Sequence, residues 1–260
     1  MLRWIGKESI AVVAGFGDFA LFLGRSVLAV FQTRRLPGRI MRAVYEQGVL
    51  CLPVILLVGA FTGLVLGLQG YHVLNRFGSE GLLGALVSLS LVREMAPVLA
   101  ALMLVGQAGS ALAAELGIQR NSEQIVALET MGVNSHGYLV SPRILASLIS
   151  YPLQAAVFVI VGLWGGALSG SLLLGVDSGL YWASAADAVD PEDVRECFAK
   201  AAVFGLLTVG ICAFHGFHAD RCRTATGAKA VSISTTLAVV HSSIVVLAAD
   251  YVITSFFEKT

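Results

Sequence analysis

Five long apolar segments, separated by short polar stretches, dominate the distribution of hydrophobic residues along the chain. They cover residues 49–74, 81–114, 144–176, 201–219 and 230–257. Each is long enough to cross about 30 Å of hydrocarbon, which takes about 20 helical residues. A lone strand exposed to lipid could not satisfy its backbone polar groups, so all five segments must be helical. The pattern predicts an all-α polytopic membrane protein with five transmembrane helices.

The positions of lysine and arginine predict how these helices are oriented. One side of the membrane receives Arg34, Arg35, Arg39, Arg42, Arg120, Arg143, Arg221, Arg223 and Lys229, whereas the other receives fewer basic residues and an acidic stretch at 177–196. Since cytoplasmic loops carry the excess of lysine and arginine, the basic side is predicted to be cytoplasmic. The N-terminus then lies on the cytoplasmic side and the C-terminus in the periplasm.

With this orientation the chain is predicted to form a single domain over residues 1–260. The transmembrane helices, with their flanking residues, occupy 43–76, 80–115, 142–176, 200–219 and 230–257. Residues 1–42 form a cytoplasmic or interfacial helix, 119–135 a helix in a cytoplasmic loop, and 177–199 a periplasmic segment.

Residues 8–31 allow two interpretations. Asp18 and Arg25 are seven residues apart in an otherwise apolar stretch and therefore share one face of a helix. An amphipathic helix lying in the membrane plane fits this pattern. A sixth span would have to bury both charges, at roughly 2.5 to 3.5 kcal/mol each. The in-plane helix is the favoured prediction.

The composition agrees with a membrane location, since 57% of the residues are hydrophobic and only 13% are charged, against about 25% charged in soluble domains. The four cysteines are scattered and indicate neither a disulfide framework nor a zinc module. Metal-ligating residue types crowd only near the end of the fourth apolar segment, at Cys212, His215, His218, Asp220 and Cys222. Neutral histidines beside a basic loop are commoner than a metal site, so we expect no bound metal.

Nucleotide chemistry is not expected from this chain. The sequence contains no G-x-x-x-x-G-K-[ST] phosphate loop, and its nearest fragment, at 226–229, lacks the first glycine and the final hydroxyl residue. Any ATP hydrolysis must therefore belong to a partner.

Two glycine stripes predict close helix packing. Gly59, Gly63 and Gly67 recur on one face of the first apolar segment, and the third segment repeats the pattern at positions 162, 166 and 170. Small residues at this spacing let helix backbones approach closely in lipid. Packing within one subunit is the favoured interpretation, and a homodimer seam or a groove for a lipid tail remains the alternative.

Arg93 and Glu94 are the sharpest anomaly, because ionisable side chains inside an apolar segment are costly and usually functional. Pro97 cannot donate to the carbonyl of Arg93, which leaves a free acceptor at the same place. These groups could form the polar floor or gate of a cavity. Alternatively, they form an internal salt bridge to another helix, with the intramembrane charge Asp250 as the candidate partner.

Residues 115–143 are polar and contain a short predicted helix. Asn121 is a reasonable N-cap with Gln124 three residues later, and Gly132 supplies a stop. Ile125, Leu128 and Met131 recur on one side. A short amphipathic helix in a cytoplasmic loop is either a docking element or a surface helix, and the pattern favours neither.

The residues of several of these segments resemble the MlaE permease family. The similarity lies in residues 59–71 (GAFTGLVLGLQGY), 91–97 (LVREMAP), 113–117 (AAELG), 131–133 (MGV) and 241–251 (HSSIVVLAADY). It extends from about residue 45 to the C-terminus. The chain departs from the family pattern at Gln107, 119–122 and 133–135, all at the predicted cytoplasmic face, which implies a matched variant of the partner there.

The resemblance implies the permease subunit of an ABC transporter in a Gram-negative inner membrane, with phospholipid as its substrate and outer-membrane lipid asymmetry as its purpose. It implies a homodimer with no cofactor of its own. Its partners would be a cytoplasmic ABC ATPase (MlaF-like) that uses ATP and Mg, a STAS-domain protein (MlaB-like) bound through that ATPase, and a periplasmic hexamer of MCE-domain subunits (MlaD-like). The alternative function is an ion-coupled secondary transporter that uses Arg93, Glu94 and Asp250.

The resemblance also implies roles for particular residues. The lipid cavity would be lined by Leu66, Gln69, Tyr71, Leu74, Phe77, Arg93 and Glu94. Asp193 and Lys200 would lie at the periplasmic mouth of that cavity. The segment 119–133 would dock on the ATPase, with contacts from Glu115, Arg120, Glu123, Gln124, Leu128 and Met131.

Overall fold

The computed structural model describes residues 2–30, 36–221 and 227–257. Over these ranges every regular element is a helix, which confirms the predicted all-α class. The α-helices are α1 (Leu2–Val30), α2 (Leu36–Gln47), α3 (Leu52–Asn75), α4 (Leu83–Ser90), α5 (Ala96–Leu104), α6 (Ser110–Asn121), α7 (Gln124–Thr130), α8 (Ser141–Ala167), α9 (Ser178–Ala188), α10 (Pro191–Phe217) and α11 (Ala228–Phe257).

Short turns of other helical types join several of these helices. Wider π-helical turns cover Leu91–Met95, Val105–Gly109, His136–Val140 and Leu168–Leu173, and 3₁₀ turns cover Val49–Cys51, Glu80–Leu82 and Ala219–Arg221. The described part of the chain thereby contains five helices that are long and apolar enough to cross a membrane: Pro37–Asn75, Glu80–Asn121, His136–Leu173, Pro191–Phe217 and Ala228–Phe257. Their number agrees with the sequence prediction.

Four boundaries differ from the prediction by six residues or more. The first span begins at Pro37 rather than at 43, and the third at His136 rather than at 142. The second span runs to Asn121 rather than to 115. The segment predicted as periplasmic, 177–199, instead holds the separate helix α9 and the first turns of the fourth span, which begins at Pro191 rather than at 200. Charged residues in these turns lower the apparent hydropathy, but Pro191 favours the first turn of a helix, and the backbone N–H of Asp190 donates to Asp193 Oδ2 at 3.2 Å.

Antiparallel connections give the bundle two ends. The α7 end holds α7 and the junction of α10 with the turn at Ala219, and the α9 end holds α9 and the turn between α3 and α4. Among the described residues, a small buried cluster around Val92 and Ala201 and two larger ones fill the interior. One of the larger clusters is centred on Leu104, Leu116, Tyr151 and Phe204, and the other on Ile55, Leu83, Leu91 and Phe158.

The two glycine stripes face each other within the chain, on α3 and α8. A side chain added at Gly63 would overlap the carbonyl oxygen of Gly162, and one added at Gly67 would lie 2.8 Å from the carbonyl oxygen of Gly166. The backbones of α3 and α8 are therefore in direct contact, and packing within one subunit is confirmed.

The first span is broken where α2 meets α3. Gly48 and the 3₁₀ turn Val49–Cys51 separate the two helices. The side-chain amide of Gln154 donates to the Gly48 carbonyl, and the amide of Gln107 donates to the carbonyl of Leu50 at 3.1 Å. These bonds satisfy carbonyls that the break removes from the helix ladder.

Helix α1 packs on the bundle at the α7 end. Phe22, Ser26 and Ala29 are buried and recur at helical spacing. Asp18 and Arg25 lie on the exposed face, together with other outward residues of α1. The position of this helix in the plane of the membrane stays a prediction.

The cap predicted for α7 is wrong. Helix α6 continues through Asn121, whose side-chain amide donates to the Gly117 carbonyl instead of capping a new helix. Helix α7 begins only at Gln124, after Glu123 adopts a left-handed conformation with φ 57°. The predicted stop is confirmed, since Gly132 has φ 74° and left-handed glycine ends many helices.

Candidate functional site

The candidate site is a cluster of charged side chains between three helices in the half of the bundle nearer the α9 end. It starts at the π-helical turn Leu91–Met95, which carries Arg93 and Glu94. Such turns interrupt the regular ladder and occur often at functional sites. Pro97 follows at the start of α5 and leaves the carbonyl of Arg93 without a backbone donor four residues on.

Lys200 of α10 supplies the donor that this carbonyl lacks. Its ammonium donates to the carbonyl oxygen of Arg93 at 2.8 Å and to the carboxylates of Glu94 and Glu196 at 3.0 Å each. All three ammonium hydrogens thus have an acceptor, although the side chain is completely buried, at 0% exposure. A buried ammonium is stable only when it is paired in this way.

Arg93 points to a different partner. Its Nε donates to Asp193 Oδ1 at 2.8 Å. Asp193 is almost buried, whereas the arginine side chain is 52% exposed. Because the other oxygen of Asp193 accepts from the backbone N–H of Asp190, the carboxylate joins Arg93 to the start of α10.

Helix α11 closes the cluster. Asp250 Oδ1 lies 3.9 Å from the Lys200 ammonium, and Thr254 Oγ1 donates to Glu94 at 3.2 Å. Four carboxylates therefore surround two cationic side chains.

A cavity of about 380 Å³ opens beside this cluster. It is lined by Arg93, Glu94, Glu192, Asp193, Arg195, Glu196, Thr254 and Phe257. A cavity with both signs of charge in its wall can bind a zwitterionic group inside an otherwise apolar bundle.

Most of the predicted charged residues meet here. Arg93, Glu94, Asp193, Lys200 and Asp250 belong to one network, so the suggested internal salt bridge exists, with Lys200 rather than Arg93 nearest to Asp250. Glu196 and Thr254 were missed in the sequence. Each lies one helical turn from a residue already singled out, Glu196 from Lys200 and Thr254 from Asp250, and that spacing was the available signal.

The other predicted cavity residues lie elsewhere. Leu66, Tyr71 and Leu74 pack against the buried cluster around Leu83 and Leu91. Gln69 and Phe77 are exposed. The single chain does not bring these five residues to the charged cavity.

The predicted docking residues divide into two groups. Glu115 accepts from Arg143, and Arg120 donates to Asp220 at 2.8 Å, so these two residues take part in ion pairs inside the chain. Partial burial would raise the pKa of Asp220, but the hydrogen bond and charge of Arg120 prevail and lower it. The pair ties α6 to the turn after α10.

The second group lies around α7. Leu128 packs against the core and Ile125 is fully buried, which anchors the helix. Glu123 and Gln124 are exposed. Met131 is 69% exposed, and three further apolar residues of this end are also exposed: Ile118, Val126 and Val133.

The suggested metal ligands do not form a metal site within the described residues. No group of three His, Cys, Asp or Glu side chains that could hold an ion occurs there. His215 Nε2 lies 2.9 Å from His241 Nδ1, and the Cys212 thiol contacts the Ser242 hydroxyl at 3.4 Å. Cys222 lies outside the described residues.

Five membrane-crossing helices, a buried charge network in their interior and a short amphipathic helix at one end define a polytopic transport-type membrane protein. The family description "Permease MlaE" matches residues 40–256. The chain is 39% identical to the intermembrane phospholipid transport system permease protein MlaE of Haemophilus influenzae, over 96% of this chain and 95% of that protein.

Other relatives agree. A probable ABC transporter permease protein of Rickettsia bellii is 36% identical over 98% of this chain and 96% of its own length. A probable ABC transporter permease protein of Synechocystis is 33% identical over 90% and 91% of the two chains. The chain belongs to the MlaE permease family.

Proposed function

We propose that the chain is the transmembrane permease subunit of an ABC transporter that moves phospholipids between the inner membrane and periplasmic carrier proteins and so maintains outer-membrane lipid asymmetry. The observation that carries this proposal is the match, over nearly the whole of both chains, to the phospholipid transport permease of Haemophilus. The ion-coupled alternative finds no support among these relatives, which are ABC transporter permeases.

The charged cavity supports a direct role in lipid handling. Arg93 is half exposed beside the cavity and can bind a phosphate oxygen while Asp193 holds its Nε. Lys200 is buried and fully paired, so we assign it to the wall rather than to the lipid. We keep the predicted lining from Leu66, Gln69, Tyr71, Leu74 and Phe77 as part of the proposal, for a cavity that a second subunit completes.

The α7 end is proposed to face the cytoplasm, with the C-terminus in the periplasm. This orientation places Arg39, Arg120, Arg143 and Lys229 on the side where basic residues concentrate. The exposed apolar residues of this end, Met131 among them, are then available to a cytoplasmic ATPase. That partner would bind ATP and Mg, because the sequence contains no phosphate loop of its own.

The proposed assembly follows from family membership. Two copies of this permease would bind two ATPase subunits, a STAS-domain protein would bind the ATPases, and a hexamer of MCE-domain subunits would stand on the periplasmic side. Glu123, Gln124 and Met131 would contact the ATPase directly. Glu115 and Arg120 would act through the ion pairs that hold the docking surface in place.

The test is ATP-driven transfer of a fluorescent phospholipid from vesicles of phosphatidylethanolamine and phosphatidylglycerol that contain the permease and its ATPase. A charge-assisted hydrogen bond contributes about 1.5–3 kcal/mol, so Arg93→Gln should slow transfer roughly 10-fold or more. Arg76→Gln, at an exposed position beyond α3, is the matched control and should transfer lipid normally.

Two results would contradict the proposal. One is lipid movement by the permease alone under a proton gradient, which would favour the ion-coupled mechanism. The other is normal transfer by Arg93→Gln, which would remove the arginine from the lipid path. Thermal unfolding of both variants separates loss of transfer from loss of fold.

A further inference from the structure

Helix α1 contacts the segment through which the docking helix α7 is joined to the third span. That segment begins with the π-helical turn His136–Val140 and enters α8 at Ser141. The Ser141 hydroxyl donates to the backbone carbonyl of Ser26 at 2.6 Å and to the carbonyl of His136 at 3.3 Å. Ser26 Oγ and His136 Nδ1 lie in hydrogen-bond contact at 3.3 Å. These polar contacts join α1 to both ends of the π-helical turn.

An aromatic cluster surrounds the same contacts. The ring of Phe22 packs edge-on against His136 at 5.0 Å and against Phe217 at 5.6 Å between ring centroids. His136 in turn stacks on Phe217 at 4.9 Å and 25°. Phe22 is only 4% exposed. Helix α1, the connection from α7 and the end of α10 therefore form one packed unit.

Helix α2 also contacts the π-helical turn His136–Val140, through Arg39. The Arg39 guanidinium carbon lies 3.4 Å from the centroid of the Tyr138 ring, which is a close cation–π contact. Its Nη1 also donates to the Tyr138 carbonyl at 3.5 Å.

Both ends of α7 are tied to the bundle, the entry through the end of α6 and the exit through the turn that α1 contacts. Glu123 turns the chain at the entry without a side-chain cap, and α7 itself has seven residues, of which only Ile125 is fully buried. On the exit side, Ser135 donates to Glu129 at 2.9 Å, directly before the turn held by α1. A push on α7 therefore reaches the bundle through His136–Val140 as well as through α6.

We propose that α1 is a positioning element of the coupling path: through Phe22, Ser26 and Ser141 it makes the exit of α7 move together with α8 and α10. The inference rests on the proposed function, since it assumes that a conformational change of a partner ATPase is transmitted to α7. It assigns α1 a role in linking ATP turnover to transport, in addition to membrane attachment.

The first measurement uses the permease alone in lipid nanodiscs. Amide hydrogen exchange over 131–140 should accelerate in Phe22→Ala and in the milder Ser141→Ala, because each removes part of the packed unit. Phe22→Leu, which keeps an apolar side chain, should restore most of the protection. Leu21→Ala, on the exposed face of α1 at 60% exposure, is the matched control.

The second measurement is the amount of lipid transferred per ATP hydrolysed in vesicles that also contain the ATPase. The ratio should fall roughly 5-fold or more in Ser141→Ala and Phe22→Ala, at the lower end of site-to-site coupling. ATPase binding should be retained. Faster hydrogen exchange with an unchanged ratio of lipid to ATP would overturn the inference and show that α1 only stabilises the fold. Unchanged exchange would show that the contacts of α1 do not hold the segment 131–140.

Failure of the proposed function gives a different result. Wild-type protein that binds no ATPase, or transfers no lipid with ATP, would refute the transporter assignment whatever the exchange data show. Normal wild-type transfer with an unaffected ratio in both variants would refute only the role of α1.

Discussion

Lys200 shows how one buried cation can organise an intramembrane site. Its ammonium satisfies the carbonyl that Pro97 leaves free and pairs with both Glu94 and Glu196. The sequence identified Arg93 and Glu94 because charges are rare in apolar segments. It could not identify their partners, since the register of α10 against the second span depends on packing across about a hundred residues of chain.

We expect Lys200→Met to destabilise the protein by about 3–5 kcal/mol, because it leaves neighbouring carboxylates without their cation in a buried place. The measurement is the unfolding midpoint in mixed micelles. The double variant Lys200→Met with Glu196→Gln should recover part of the loss, since it removes one uncompensated charge. Lys229→Met, at an exposed position, should change stability by no more than about 0.5 kcal/mol, and an equally small effect at Lys200 would contradict the role described for it.

At the scale of elements, hydropathy, small-residue spacing and the glycine stop at Gly132 were reliable, whereas the predicted N-cap of α7 was not. The glycine stripes correctly indicated packing between α3 and α8. The cap at Asn121 failed because its amide found a carbonyl one turn back in α6. The true start of α7 depends on a left-handed Glu123, a conformation that few non-glycine residues adopt and that the sequence does not signal.

Gly63→Ala should destabilise the α3–α8 contact by about 1–3 kcal/mol, the usual cost of overpacking. The added methyl would overlap the Gly162 carbonyl, so the helices would have to separate. Gly106→Ala is the control, since no atom beyond its chain neighbours and its own helix backbone lies within 4 Å of the new methyl, and alanine is about 1 kcal/mol better than glycine in helices. The measurement is the thermal unfolding midpoint of both variants in the same micelles. Equal midpoints would mean that the backbones of α3 and α8 are not in tight contact.

At the scale of the whole molecule, five spans could be predicted from hydropathy alone because every lipid-exposed segment must satisfy its own backbone. The contacts of α1 with His136 and Phe217 could not, since they join residues more than a hundred positions apart. The ion pairs of Glu115 and Arg120 could not be predicted either, because their partners, Arg143 and Asp220, are distant in the sequence. The sequence shows a charged residue at each of these positions but not the residue with which it forms an ion pair.

Met131→Asp should uncouple the transporter while the permease stays folded, because the side chain is exposed, as are other apolar residues of this end. We expect weaker co-purification of the ATPase and slower ATP-driven lipid transfer. Leu128→Asp is a poor substitute, since Leu128 packs against the core and its loss should lower stability as well. Full co-purification and normal transfer by Met131→Asp would exclude this surface as the docking site.

The direct backbone contact between α3 and α8 also limits how the protein can move. Helices held apart by long side chains can slide by changing rotamers, but at Gly63 and Gly162 there is no side chain to adjust. The first and third spans should therefore travel as one rigid body during a transport cycle. Opening and closing of the transport path must then take place at other helix interfaces. Those of α10 and α11 carry the ion pairs that can break and re-form.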